Sequence, residues 1–414
     1  MTSNIKWIAG IVSGGIVAAG FVIWLVYFNT PALTTTEIST PFAQGENRTS
    51  AVATPSDTNT GTPVGQQAAY GAEKIFKIAD GPIAGATLIQ ITRPATSTIA
   101  RFVVQTNGHT FDLVLDSPGA VPKAFSNTTI PGILKVVWTG STGSPQGGRK
   151  NALMQYLDAN SIKTVHFLLP QPASTTTVPV RVQFLPEGIA SLAVSPDGAN
   201  VAYLVKTTAG SDGYTANADG GGVKKLFSLP LSQVTIAWPS SGTLLAQSAP
   251  SAGVAGVVFS IDAKTGANAP LIYALGLTAI ADRSFSRVIY QTADTSRSTY
   301  VRDTKTGLAK PLSFDPLPEQ CIFGNATSTT MYCATPLAYV PANYLDLRHM
   351  GTANTALSII SFNTATGRST IIATPGTDVG EQADIAEMAI SQDDKYLIYI
   401  RKGDRSLWAV RLDN

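Results

Sequence analysis

Residues 189–205 read IASLAVSPDGANVAYLV: an alternating apolar run, a Ser195-Pro196-Asp197-Gly198 turn, then a second apolar run. Proline sets the φ such a turn needs, aspartate bonds the local backbone, and glycine accepts positive φ. The last segment repeats the pattern as IAEMAISQDDKYLIYIR (385–401), with Gln392-Asp393-Asp394 in place of Pro-Asp-Gly. Between them lie VTIAWPSSGTLLAQS (234–248), LTAIADRSFSRVIYQT (277–292) and EQCIFGNATSTTMYCAT (319–335), each strand, polar turn, strand.

A second motif falls later in the units: DAKTG at Asp262–Gly266, DTKTG at Asp303–Gly307 and NTATG at Asn363–Gly367. An Asx start and a Gly end suit a short hairpin closing on a left-handed residue. Units starting near Ser191, Val234, Leu277 and Gln320 recur at about 43 residues, the interval of a four-stranded propeller blade. One such sheet cannot bury both its faces, whereas blades stacked radially bury them and leave only short edges.

Extended along the chain, the count is seven, with units near Ala84, Pro131, Glu187, Leu231, Gly276, Pro316 and Ala383, and the irregular early units leave six or eight as alternatives. The early units read ATLIQI (86–91), RFVVQTNGHTFDLVL (101–115), ILKVVW (133–138) and KTVHFLL (163–169), with turn residues that have drifted. The last unit has only EMAI, KYLIYI and SLWAVRL, and KIFKI (74–78) is its natural fourth strand. The expected fold is therefore all-β: a seven-bladed β-propeller over 70–414, closed by joining N-terminal to C-terminal sequence.

These residues resemble the TolB-type, WD40-like (PD40) repeats of bacterial envelope proteins, and also the propellers of dipeptidyl-peptidase-IV-like enzymes. SLAVSPDGANVAYLV, the TANADGGGVKKLF that follows it (215–227) and the recurrent D-x-K-T-G carry the resemblance. It is strongest in the unit from Ile189 and fades before it; the recurring pattern of Gly-His and Trp-Asp pairs of true WD40 repeats is lacking. The resemblance implies interaction with envelope proteins. The peptidases also carry a G-x-S-x-G nucleophile elbow, which does not occur here, so peptidase activity is not carried over.

Trp7 to Phe28, WIAGIVSGGIVAAGFVIWLVYF, holds no charged residue. As a helix at 1.5 Å per residue it spans roughly 33 Å, enough to cross a hydrocarbon core. Trp7, Trp24 and Tyr27 stand near its ends, where amphipathic rings favour the interface. Lys6 precedes it and no Lys or Arg follows until Arg48, which places residues 1–6 in the cytoplasm and the propeller outside. The competing reading is a cleavable signal peptide, whose apolar core is ordinarily only about 7–15 residues. Gly10 and Gly14 have the spacing of a helix-pairing motif, a weak signal in a glycine-bearing membrane helix. Residues 29–69 are rich in Thr, Ser, Pro and Gly and read as a flexible tether.

Net charge is only +2 over 414 residues, which leaves no basic footprint for nucleic acid. His109, His166 and His349 share no metal-ligand spacing. Asp212, Asn217 and Asp219 lie in a Gly-rich stretch without the terminal Glu of a calcium loop and read as turn formers. Gly140 to Gly148 and Gly220 to Gly222 lack the ending of a phosphate-binding loop. No catalytic residue, cofactor or metal is predicted.

Cys321 and Cys333 bracket a polar turn, and antiparallel pairing centred on Thr327 sets them opposite each other, within disulfide range. An oxidising exterior permits the bond; two free buried thiols are the alternative. Thr335 to Ala356 is the longest interruption of the repeat and carries Tyr339, Tyr344, Arg348 and His349. Aromatic and Arg residues on a loop held by a rigid scaffold suit partner anchoring; covering a blade edge is the other reading. The expected function is a membrane-anchored, extracytoplasmic module that binds or scaffolds envelope proteins. The alternatives are an enzyme acting on envelope glycans or peptides at the channel mouth, and a structural envelope component.

Overall fold

The computed structural model describes residues 73–91, 96–126, 128–139, 151–168, 181–293, 297–327 and 329–412. The expected membrane helix (7–28), the tether (29–69) and the Gly140–Gly148 stretch lie outside them. No helix among the described residues is long and apolar enough to cross a membrane.

The first strand, β1 (Ile75–Ala79), belongs to the last sheet. Blade 1 comprises β2 (Ile83–Ile91), β3 (Ser97–Val104), β4 (Thr110–Val114) and β5 (Lys123–Ser126). Blade 2 comprises β6 (Ile133–Thr139), β7 (Asn151–Asp158), β8 (Ser161–Leu168) and β9 (Arg181–Phe184). Blade 3 holds β10 (Ile189–Val194), β11 (Asn200–Thr207), β12 (Gly210–Asn217) and β13 (Lys224–Leu229). In blade 4 stand β14 (Val234–Ser240), β15 (Thr243–Ser248), β16 (Ala255–Asp262) and β17 (Asn268–Leu275). Blade 5 is β18 (Thr278–Ala281), β19 (Arg287–Thr292), β20 (Ser298–Asp303) and β21 (Ala309–Pro311). Blade 6 is β22 (Cys321–Phe323), β23 (Thr330–Thr335), β24 (Ser358–Asn363) and β25 (Ser369–Ala373). Blade 7 is β26 (Ile385–Ile390), β27 (Tyr396–Arg401), β28 (Leu407–Arg411) and, outermost, β1.

All seven sheets are four-stranded and antiparallel, so the chain forms a seven-bladed β-propeller. Closure follows the expected route: Ile75 pairs with Val410, Phe76 with Ala409 and Lys77 with Trp408. The N-terminal strand therefore supplies the rim of the last blade.

The turns form for local reasons. Asp197 accepts the Ser195 hydroxyl and the Ala199 N–H, and Asp262 accepts the N–H groups of Lys264 and Thr265. Asp303 and Asn363 repeat that device on Thr306 and Thr366. Gly266 then turns at φ 77°, where an added Cβ would lie 1.9 Å from the Leu226 carbonyl oxygen. Only glycine fits there.

Burial explains why the second strand of a blade is apolar at nearly every position instead of alternating. In β11, Val201 and Tyr203 face blade 2, where they join Leu153 and Leu185. Ala202 and Leu204 face blade 4 and join Ile236, Leu244 and Ala246. The core is thus a set of clusters at the seams between successive blades. Polar side chains stitch the same seams. Gln155 donates to the Ile189 carbonyl (3.4 Å), Gln291 donates to the Pro316 carbonyl (3.0 Å), and Gln247 accepts the Ala279 N–H (2.7 Å). Each links one blade to the start of the next, where a buried main-chain group would otherwise lose water without replacement.

One seam carries a liability. His166 on β8 is 2% exposed, and neither ring nitrogen has a hydrogen-bond partner among the described residues. Burial pushes its pKa below the ordinary value, and the more distant Asp219 carboxylate opposes this. The unfolded chain then takes up a proton at a pH where the folded chain does not. Stability falls as pH drops through about 6.5 and goes on falling to the depressed folded pKa. His166→Leu is expected to flatten the loss of melting temperature between neutral pH and pH 5. Parallel pH profiles of the two proteins would contradict this assignment.

Candidate functional site

The inner strands all start at one mouth of the central channel, here the first mouth, and finish at the second. Each mouth carries a distinct arrangement.

At the first mouth lies the connection between β23 and β24. The sequence places Tyr339, Tyr344, Arg348 and His349 there in a loop; the structure instead forms a helix, α1 (Tyr344–His349). Tyr344 and Arg348, four residues apart, fall on one helical face, and both are buried with Leu345. They root the segment and are not free to meet a partner. Arg348 pairs with the buried Asp384 carboxylate at the start of blade 7 and donates to the Ile385 carbonyl at 2.5 Å. Lys402 donates to the Arg348 carbonyl at 3.0 Å. The Asp346 carboxylate accepts the Ala252 N–H from blade 4 at 2.9 Å, and the Arg297 guanidinium lies 5.6 Å from the Tyr344 ring. The connection of blade 6 is thus tied to blades 4, 5 and 7.

What it presents outward differs. Tyr339 is 93% exposed, and Leu337, two residues before it, and Met350, at the other end of the helix, are exposed as well. His349 stays partly open, with Nε2 3.0 Å from Glu319. That hydrogen bond raises the imidazole pKa above its ordinary value, against partial burial. The four residues therefore divide into two anchors and two accessible groups.

At the second mouth, the ends of β14, β18 and β22 enclose a cavity of about 270 Å³. Its wall consists of Ala237, Trp238 and Pro239, then Ala279, Ile280 and Ala281, then Cys321, Ile322 and Phe323, with Arg283 at its rim. Three successive residues from each strand line it because each of these strands is the inner edge of its sheet. Cys321 stands opposite Cys333 in the β22–β23 register, and the two form a disulfide with Cα atoms 4.1 Å apart.

Arg283 lies in the turn that replaces Ser-Pro-Asp-Gly in blade 5. The buried Asp282 holds this turn by accepting the Ser286 N–H (2.7 Å) and the Ser286 hydroxyl (2.6 Å). Surrounding protein pushes the Arg283 guanidinium below its ordinary pKa, with Asp394 opposing, although the side chain keeps access to solvent. Asp394 itself serves blade 6: its carboxylate accepts the N–H groups of Asn325 (2.6 Å) and Ala326 (3.1 Å). It occupies the turn position of Gly198 at φ 56°, a conformation aspartate tolerates better than most side chains. Arg283 was not singled out from sequence. The departure of Asp282-Arg283-Ser284-Phe285 from the turn pattern was the available signal.

The remaining candidates do not converge. His109 Nε2 lies 3.2 Å from the Thr129 hydroxyl. Asp212, expected in a turn, lies within β12 and pairs with Lys225 of the neighbouring β13 at 2.8 Å. Asp219 accepts the Gly221 N–H within its own turn. Among the described residues no group of three His, Cys, Asp or Glu side chains could hold a metal ion.

No family model matches the chain, and no curated protein matches it. Solved structures do. An oligogalacturonate lyase in complex with manganese aligns over 84% of this chain and 95% of its own, at 10% identity and a TM-score of 0.56. A chain of a mitotic checkpoint complex aligns over 88% of this chain and 100% of its own, at 11% identity and a TM-score of 0.50. TolB from Acinetobacter baumannii aligns over 69% of this chain and 62% of its own, at 11% identity and a TM-score of 0.41. The first two share the propeller fold with this chain, and at such identities the likeness is one of fold.

Proposed function

We propose that this chain is a protein-binding module of the cell envelope. In this reading an N-terminal helix holds it in the membrane, and the propeller faces outward. The observation that carries the reading is the division of labour in the blade 6 connection. Buried Tyr344, Leu345 and Arg348 root it, while Tyr339 stands 93% exposed and Leu337 and Met350 on the same connection are exposed too. A large aromatic ring held out on a fixed segment loses little conformational entropy when it docks. The matching partner offers an apolar pocket for the ring and a polar group for the phenol.

A photo-reactive residue placed at position 339 of the full chain in intact cells tests this. One discrete protein adduct is expected in the membrane fraction, and Met350→Ala should reduce it. The same residue at position 273, where Tyr273 is also well exposed on the rim of blade 4, should give none. Equal labelling from both positions, or no adduct from 339, would overturn the reading.

A further inference from the structure

The second mouth holds a feature that the partner reading does not use. Arg283 forms no hydrogen bond or ion pair with any described residue. Both oxygens of Asp394, the carboxylate it feels most, are engaged by the blade 6 turn. An unpaired guanidinium on a surface usually points into water. This one stands at the rim of a cavity whose wall is Trp238, Pro239, Ile280, Ile322, Phe323 and small residues. The cavity, at about 270 Å³, is near the lower end of ligand-pocket sizes, about 300 Å³. An apolar pocket with a few placed polar groups is the usual arrangement for binding and orienting a small ligand.

Two further facts narrow the ligand. The cation is a guanidinium, whose planar fork matches the two oxygens of a carboxylate. The wall also runs along the inner edges of three sheets, where no strand neighbours them, although the Ala279 N–H is already taken by Gln247. A peptide end satisfies both: its terminal carboxylate meets the guanidinium, and its last residues lie along strand edges with an apolar side chain in the cavity.

We propose that the second mouth is a carboxylate-recognition site in which Arg283 holds the terminal carboxylate of an apolar peptide tail. The turn that carries Arg283 is braced from below by buried Asp282, so the guanidinium is presented by a rigid base. A free organic acid with an apolar body shares the same chemistry, and the experiment separates the two sources.

The test uses the full chain in detergent and fluorescent tripeptide pools ending in Leu, Ile, Val or Phe, measured by anisotropy. One pool carries free C-terminal carboxylates, its twin is amidated, and unlabelled 3-phenylpropionate competes as the free acid. A charge-assisted bond of this kind is worth about tenfold to a hundredfold in affinity. Loss of that order is expected on amidation of the pool and again in Arg283→Gln, with Arg283→Lys intermediate and all melting temperatures unchanged. Competition by 3-phenylpropionate at concentrations equal to the peptide's own affinity would overturn the peptide assignment and give the site to free acids. Equal binding by wild type and Arg283→Gln, or no binding of either carboxylate at millimolar concentration, would overturn the site itself.

Discussion

Replacing Ile78 with alanine is expected to lower the melting temperature of the whole ring and to cost about 2–5 kcal/mol. Phe76→Ala should cost about 3–5 kcal/mol. The cause is the position of β1 in blade 7. Phe76 and Ile78 face blade 1 and pack with Ile83, Phe102 and Leu113 as well as with Ile398 and Ala409 of their own blade. Ile75 points the other way and joins Tyr332, Ile359 and Trp408 at the seam with blade 6. One strand therefore serves two seams and completes the ring. The double variant Phe76→Ala/Ile78→Ala removes an amount comparable with the net stability of a typical domain, about 5–15 kcal/mol, and should not fold. Lys74→Ala, at an exposed position one residue before the strand, should change stability by less than about 0.5 kcal/mol. A double variant that melts with the wild type would show that blade 7 closes without β1.

The second large effect is expected at Arg348. Arg348→Ala removes the guanidinium from a buried pair and leaves the Asp384 carboxylate, itself 5% exposed, with Lys402 at 3.9 Å as its remaining cation. Removing one partner of a buried pair costs about 3–5 kcal/mol, because the other charge stays out of water. The Ile385 carbonyl also loses the Arg348 donor and keeps only the longer bond from Gln320 Nε2 at 3.3 Å. The blade 6 connection should loosen and become open to proteolysis between residues 336 and 357. Replacing both partners, as Arg348→Met/Asp384→Asn, should recover most of the loss, since no uncompensated charge remains. Losses that simply add across the double-mutant cycle would show that the two side chains do not act as a pair. The same variant bears on the proposed partner surface, because Tyr339 is presented by the segment that Arg348 roots.

The contrast between these residues shows where sequence reasoning reaches. The later units and their turns were readable because the signals are local, and the closing strand was readable because the last unit lacked one. Asp262 and Thr265 interact within their own turn, and the apolar run of Asn200–Thr207 reports burial on both faces without naming the neighbours. The pairing of Cys321 with Cys333 follows from a hairpin centre between them. Tyr344 and Arg348 were legible as a cluster of aromatic and cationic residues, but their direction was not. Arg348 finds its carboxylate 36 residues later, and Asp394 reaches back 69 residues to Asn325.

By itself, then, the sequence determined the repeat: strand, turn and strand in a four-stranded unit, with the missing strand supplied from residues 74–78, while the sheets themselves decided the count of seven among six to eight. Strand, turn and unit depend on backbone conformations set by residues a few positions apart, and on a hydrophobic pattern that a four-stranded sheet must bury. Only the tertiary structure decided what faces what across the seams and mouths. It turned Tyr344 and Arg348 inward, left Tyr339 outside, put Asp212 into a strand pair, and stood Arg283, without a partner among the described residues, beside a cavity bounded by three different blades. Such juxtapositions exist only once the ring closes, because each brings together side chains whose own surroundings are formed by other blades.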